Sequence, residues 1–179
     1  MRTFPAALLI VMGCSITALA QETTPKPFQV CQGTYALCTF SQCGPAQGKG
    51  QQTSACSCNV WQGYSVGREC EKSKIVNGQT VIRSRYYPIP GYGTCSNSKA
   101  WAMCLDKKCV VDSNDKTKAS CTCSVEGQGK QQDYLVTYGS ACPAGIISSA
   151  TVLDLNSITD FLKTKDEIPV QDFIISPKK

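Results

Sequence analysis

Histidine is absent from all 179 residues of this chain. Its absence removes the usual general base near neutral pH, the histidine-dependent nucleophile systems and the commonest side-chain ligand of transition metals. Paired carboxylates remain chemically possible, but the 13 Asp and Glu residues fall mainly in predicted loops. No S-x-x-K motif stands between a predicted strand and a helix. We therefore predict a protein that is not an enzyme and that holds no metal or other cofactor.

Long apolar runs are also scarce. The run at residues 5–12 follows Arg2 and is too short to span a bilayer. Ala18-Leu19-Ala20 supplies the small-x-small pattern of a signal peptidase site before Gln21. The sequence predicts a signal peptide over residues 1–20, a secreted or periplasmic protein, and no transmembrane segment in the mature chain.

A second interpretation of this segment rests on Cys14. The run from Val11 to Ser15 resembles a bacterial lipoprotein cleavage site, at which the cysteine would become lipidated. The apolar residues 16–20 favour a continued signal sequence instead. Under either interpretation, 12 of the 13 cysteines remain for pairing.

These 12 cysteines predict six disulfides, because an even number in an exported chain is typical of a disulfide framework. They fall into two sets with successive separations of 7, 5, 13, 2 and 12 residues and then 9, 5, 12, 2 and 19 residues. The first cysteine set is Cys31, Cys38, Cys43, Cys56, Cys58 and Cys70, and the second cysteine set is Cys95, Cys104, Cys109, Cys121, Cys123 and Cys142.

Flanking residues repeat with the cysteines. Tyr35-Ala36-Leu37 precedes Cys38 as Trp101-Ala102-Met103 precedes Cys104. We therefore predict a duplicated module. The expected divisions are a signal peptide (1–20), an N-terminal extension (21–30), module 1 (31–70), a linker with a short hairpin (71–94), module 2 (95–142) and a cysteine-free tail (143–179).

The spacing limits the pairing without assigning it. Six cysteines allow about 15 connectivities per module, and these stay open. Neighbours in the pairs Cys56/Cys58 and Cys121/Cys123 point to the same face of an extended strand, so a bond between them would distort the backbone. Each is expected to pair elsewhere, in structural disulfides rather than thiolate metal sites.

The predicted fold is small, disulfide-rich and mainly β, with two tandem six-cysteine modules. Each module has a short hairpin core, such as residues 33–40 against 54–61, with exposed loops at 44–52 and 111–118. Asn77-Gly78 indicates a hairpin between the modules. The tail is expected to be mostly irregular, with one short helix over 156–163 capped by Ser157, and residues 173–175 able to add a strand.

Two groups of residues are candidates for binding. Arg83, Arg85, Tyr86 and Tyr87 form the only cationic–aromatic cluster, predicted as a contact patch for a protein or glycan. The alternative is that the tyrosines pack over the two small cores, and nucleic acid is not expected as a partner of an exported protein.

Trp61, Gly63 and Tyr64 could instead form a platform that stacks on a sugar ring. The second cysteine set has no aromatic residue at the matching point, so packing is the favoured interpretation of these side chains.

The order of the cysteines resembles that of EGF-like modules, and Gly63-Tyr64 matches the glycine–aromatic pair before their last cysteine. The stretched spacing, and Gly127-Gln128 in the second set, argue against that relationship. The pattern Y-A-L-C-T…C…C-S-C-x-V-x-x-G-Y-x-V-G, over residues 31–70, is similar to exported cysteine-rich proteins of bacteria. That resemblance implies export and disulfides, and no particular activity.

The sequence as a whole favours a non-catalytic interaction or binding module with an unidentified protein or glycan partner. The alternative is an enzyme, or an accessory domain of an enzyme, that acts on an extracellular polymer. A buried acidic pair in a cleft would favour the alternative, whereas a surface displayed by the two loops would favour binding. The net charge of +5 is mild and spread along the chain, and the sequence leaves the oligomeric state open.

Overall fold

The structure is a computed structural model that describes residues 25–86 and 91–165, together with the backbone of Ile174–Ile175. The predicted signal peptide, Cys14 and Tyr87 lie outside the described residues. The elements are β1 (Gln29–Leu37), β2 (Thr53–Gly67), β3 (Lys74–Val76), β4 (Gln79–Arg85), β5 (Gly91–Asn97), β6 (Trp101–Met103), β7 (Lys108–Val111), β8 (Lys118–Glu126), β9 (Gln132–Thr137), β10 (Ser148–Ser149), α1 (Val152–Lys163) and β11 (Ile174–Ile175).

Strands β1 and β2 form the predicted antiparallel hairpin, paired from Gln29↔Gly67 to Leu37↔Asn59. Alternation sets the orientation of β2, because successive side chains of a strand point to opposite faces. Cys56 and Cys58 are buried, whereas Ser57 between them is exposed. Both cysteines of the first C-x-C pair therefore reach the core from one face, as predicted.

Strand β2 also pairs with β8, and this contact joins the two cysteine sets. The antiparallel register runs from Thr53↔Ser124 to Asn59↔Lys118, and it places Cys56 opposite Cys121. The two sets thus contribute neighbouring strands to one eight-stranded sheet. The mainly β, disulfide-rich fold is confirmed, but the two tandem modules are not confirmed as separate units.

Five strands close this sheet into a ring. Strand β1 pairs with β2, β2 with β8, β8 with β7, β7 with β4, and β4 with β1. The β4–β1 contact is parallel and short, at Ala36↔Ser84 and Leu37↔Arg85. The segment predicted to be a linker therefore contributes a strand that completes the ring.

The six predicted disulfides are present, with the same nested connectivity in both cysteine sets. The first cysteine of each set pairs with the sixth, the second with the fifth, and the third with the fourth. The bonds are Cys31–Cys70, Cys38–Cys58, Cys43–Cys56, Cys95–Cys142, Cys104–Cys123 and Cys109–Cys121. No cysteine of a C-x-C pair is bonded to its neighbour.

The core of the ring consists largely of disulfides. Ala36, Ile82, Ala102 and Ala119 pack among the sulfurs of the four inner disulfides. The Sγ atoms of Cys38 and Cys121, which belong to different cysteine sets, lie 3.4 Å apart. Small alanine side chains leave room for this close sulfur packing, which offsets the small amount of aliphatic core available to a chain of this size.

The hairpin predicted around Asn77-Gly78 is confirmed as β3–β4. Both turn residues have positive φ, 49° for Asn77 and 75° for Gly78, as a two-residue type I′ turn requires. Glycine adopts this conformation readily, and asparagine tolerates it better than most residues.

A second core lies under α1. Leu155, Ile158 and Leu162 of the helix are buried in a cluster with Val66 and Tyr92, beside the smaller sheet β11–β5–β9. The predicted short helix exists, and the predicted added strand is β11, which pairs in parallel with β5.

The predicted start of the helix was wrong. The helix begins at Val152, and its N-cap is Thr151, which forms a capping box with Asp154. Ser157 lies inside the helix, where its hydroxyl donates to the Leu153 carbonyl at 2.8 Å.

Candidate binding surface

The four residues of the predicted contact patch do not share an exposed surface. Arg85 is only 2% exposed, and Tyr86 is buried. The Tyr86 hydroxyl donates to the Ser149 carbonyl at 2.8 Å, and burial raises the pKa of this phenol. Arg83 is partly buried, and Tyr87 lies outside the described residues. For Tyr86 the geometry therefore agrees with the packing alternative.

Arg85 is buried because it completes an ion pair. Its Nη1 atom lies 2.6 Å from Oδ1 of Asp106. The other carboxylate oxygen of Asp106 accepts from the Arg68 backbone N–H at 2.7 Å. The Nη2 atom of Arg85 donates to the Glu69 carbonyl. The pair thus ties the end of β2 to β4 and to the turn before β7.

Glu69, Asp106 and Asp154 are among the residues that line a cleft of about 550 Å³. Each has a structural partner. Lys26 donates to Glu69 at 2.8 Å and holds the pKa of this carboxyl below its usual range. Asp106 is bound by Arg85, and Asp154 caps α1. The carboxylates of this cleft are thus engaged in contacts that hold the fold together.

The inner cysteines approach one another closely enough to suggest metal sites. The sulfurs of Cys38, Cys109 and Cys121 lie within 4.8 Å of one another, and the same holds for those of Cys56, Cys104 and Cys123. All six belong to disulfides. A disulfide sulfur lacks the thiolate charge that binds zinc or copper, so these groups are core packing.

A groove with a volume of about 640 Å³ lies over the outer face of the β2–β8 ladder. Its floor is made of small side chains, Ala55 and Ser57 on β2 and Ser120 on β8. The floor is outward-facing because the neighbouring positions Cys56 and Cys121 point into the core. We call this surface the ladder groove.

Three segments form the walls of the ladder groove. Gly44 begins the predicted loop 44–52, and residues 111–113, 116 and 118 belong to the predicted loop 111–118. The third wall is residues 78–80, at the turn of the β3–β4 hairpin. The structure thus brings together two loops that lie far apart in the sequence.

These walls are held in place by local hydrogen bonds. The Ser54 hydroxyl donates to the Gly44 carbonyl at 2.6 Å. Asp112 Oδ1 accepts from the Asn114 N–H at 2.7 Å, and Lys118 Nζ donates to Asn59 Oδ1 at 2.7 Å. The bonds of Ser54 and Lys118 thus tie two of the walls to strand β2.

Trp61 and Tyr64 are exposed rather than packed. They are 53% and 49% exposed, which is contrary to the packing interpretation favoured from the sequence. Trp61 lies on the outward face of β2 together with the exposed Asn59, as the alternation of a strand requires. Tyr64 follows Gly63, which has a φ of 136° and faces Gly33, with a φ of 138°. This backbone conformation, open mainly to glycine, interrupts the alternation that would bury one side of the ribbon.

Comparison with protein-family models, with curated proteins and with solved structures gives no match to this chain. Among the described residues, no helix is long and apolar enough to cross a membrane. The six disulfides fit an oxidising, extracellular compartment.

Proposed function

We propose that this chain is a secreted or periplasmic, non-catalytic binding module whose ligand occupies the ladder groove. The observation that carries the proposal is a single groove above a disulfide-stapled ladder, walled by the start of the 44–52 loop, by the 111–118 loop and by the hairpin turn. A rigid scaffold that presents loops is a common basis for binding, because little conformational entropy is lost when the ligand is engaged.

The partner is a protein or a glycan. The groove presents hydroxyl groups of Ser57, Ser113 and Ser120, the carboxylate of Asp112 and the ammonium groups of Lys116 and Lys118. These groups supply both donors and acceptors to a polar ligand. The side chains of the floor are small and include no large aromatic anchor, so specificity would come from polar contacts and shape complementarity.

The test is to fill the groove. Ser120→Trp places a large side chain on the floor, and Ser157→Trp, on the exposed side of α1, is the matched control. Both proteins and the unmodified chain would be applied to an array of glycans and to extracellular proteins of the source. Ligands that bind the unmodified chain and the control but not Ser120→Trp support the proposal. Ligands that bind all three equally contradict it.

A second candidate is an accessory domain that holds an enzyme to an extracellular polysaccharide, which the exposure of Trp61 and Tyr64 favours. Aromatic rings stack on sugar rings, and Gln62 between them accepts a 2.7 Å hydrogen bond from Thr34 through its carboxamide oxygen. The N–H groups of the Gln62 carboxamide take no part in that bond. Trp61→Ala would abolish retention on an insoluble polysaccharide, whereas Ser120→Trp would leave it unchanged.

A further inference from the structure

Strand β3 is the last strand of the eight-stranded sheet, and within the described residues it pairs with β4 alone. In a two-residue hairpin, the pair beside the turn, here Val76↔Gln79, exchanges both backbone hydrogen bonds. The next pair, Ile75↔Thr80, is then a non-hydrogen-bonded pair. The N–H and C=O groups of Ile75 therefore point away from β4, towards the free edge.

The side chains of this edge are unusually apolar for an exposed strand. All three residues of β3 are exposed, with Ile75 71% and Val76 47% accessible. Free sheet edges are normally blunted by charges, proline or a covering element, because they pair readily with other strands. Here one lysine, Lys74, stands beside two exposed β-branched residues.

The charge around the edge is positive. Lys72, Lys74, Arg83 and Lys108 line a cleft of about 230 Å³ against the apolar side chains of β3 and β4. Glu71 is the one carboxylate in that cleft. It is bound by Arg83 at 2.6 Å and Lys74 at 3.3 Å, and these bonds lower its pKa to about 2. Glu71 therefore stays ionised, and Arg83 and Lys74 already balance its charge.

We propose that β3 accepts an extended, acidic segment of a partner protein, which adds a strand to the sheet. The outward N–H and C=O groups of Ile75 can pair with the backbone of another polypeptide. The side chains of Ile75 and Val76 favour aliphatic residues in that segment, and the surrounding cations favour Glu or Asp. A second copy of this chain is disfavoured, because it would bring the same cluster of cations to the interface and add no acidic group to balance it. This edge adjoins the hairpin wall of the ladder groove but shares no residue with the groove, and the inference does not depend on the proposed function.

The probe is a synthetic peptide of alternating Glu and Val, titrated into the isotope-labelled full chain and followed by amide chemical shifts. We expect shifts confined to residues 72–76 and slower exchange of the Ile75 amide. A matched peptide of alternating Lys and Val should cause none. Shifts at Ser57 and Ser120 would instead place the peptide in the ladder groove and overturn the proposal, as would self-association of the chain alone.

Two variants separate strand addition from simple charge attraction. Ile75→Pro removes the outward N–H, at an edge position where proline is tolerated, whereas Ile75→Ala keeps it. The proline variant should bind the Glu-Val peptide roughly tenfold more weakly than the alanine variant, because one backbone hydrogen bond is lost. Equal affinity of the two variants overturns the proposal.

Lys74→Glu provides a measurement that does not depend on the behaviour of proline in the hairpin. It should weaken binding of the Glu-Val peptide and strengthen binding of the Lys-Val peptide. If Lys74→Glu left the preference for the Glu-Val peptide over the Lys-Val peptide unchanged, the proposal would be overturned, since the cations would then play no part in recognition.

Discussion

Gly67 sits where the buried ion pair crosses the end of β2. A Cβ atom at this position would lie 2.6 Å from Asp106 Oδ1 and 2.7 Å from Arg85 Cδ. Arg85 cannot withdraw without breaking its bond to Asp106, and it is held on its other side by the Glu69 carbonyl. The glycine is required here by space, because its φ is not in the left-handed region.

Gly67→Ala should therefore destabilise the protein by about 1–3 kcal/mol, since the new methyl group must displace buried, hydrogen-bonded atoms. Gly145→Ala is the matched control, because a Cβ atom there meets nothing within 4 Å and φ again lies outside the left-handed region. Urea unfolding of both variants measures the difference in the free energy of unfolding. Equal stability of the two variants would show that the Arg85–Asp106 ion pair can move away from the new methyl group with no loss in the free energy of unfolding.

At the scale of single residues, what the sequence could predict was set by local geometry. The common face of Cys56 and Cys58 follows from the two-residue period of a strand, and it holds in the fold. The burial of Arg85 could not be predicted in this way. Its partner, Asp106, lies 21 residues away, and a lone arginine on a predicted linker is usually solvated.

Helix α1 begins at Val152, five residues before Ser157, the cap that the sequence first indicated. Two hydroxyl residues compete for the role, and the apolar residues Val152 and Leu155 lie between them. The Thr151 hydroxyl accepts from the Asp154 N–H at 3.1 Å, and the Asp154 carboxylate accepts from the Thr151 N–H at 3.3 Å. This reciprocal pair satisfies helix N–H groups that would otherwise have no partner within the helix.

Thr151→Ala should cost about 1 kcal/mol of stability, because the N-cap side chain is lost and the Asp154 N–H loses its acceptor. Ser157→Ala, in the same helix, should change stability little, since its hydroxyl only adds a bond to a carbonyl already used by the helix. Thermal unfolding of the two variants distinguishes them. A larger loss for Ser157→Ala would mean that the helix starts where the sequence first indicated.

Element by element, short-range features were predictable and long-range pairings were not. The β3–β4 hairpin is encoded by Asn77-Gly78 and its flanking β-branched residues, all within one short segment. The β2–β8 ladder and the parallel β4–β1 contact join strands separated by dozens of residues. Nothing local specifies such pairings, so the ladder groove built on β2 and β8 could not be located from the sequence, although both of its loops could.

Across the whole molecule, segments that lie outside the two cysteine sets are hydrogen-bonded to cysteines within them. The buried Ser148 hydroxyl, beyond the second set, donates to the carbonyl of Cys38 in the first. In the same manner the buried Ser84 hydroxyl donates to the carbonyl of Cys104 in the second set. The Cys38 and Cys121 sulfurs, 3.4 Å apart in the core, bring the two sets into direct contact.

We therefore expect Cys109→Ala/Cys121→Ala, a change confined to the second cysteine set, to lower protection from hydrogen exchange in β1 and β2 as well as in β8. Removing a native disulfide typically costs about 2–5 kcal/mol, and this one contacts the first set directly. Amide exchange followed by NMR reports each strand separately.

The control is Cys31→Ala/Cys70→Ala, which opens a longer loop, with a sequence separation of 39 against 12. Loop entropy alone predicts that the control is the more damaging change. Cys70 is exposed, and this disulfide lies outside the sulfur cluster of the core, so we expect its effect to stay near the end of the β1–β2 hairpin. If β1 and β2 kept full protection without Cys109–Cys121, the two sets would be independent modules after all, because contact between their disulfides would carry no stability from one to the other.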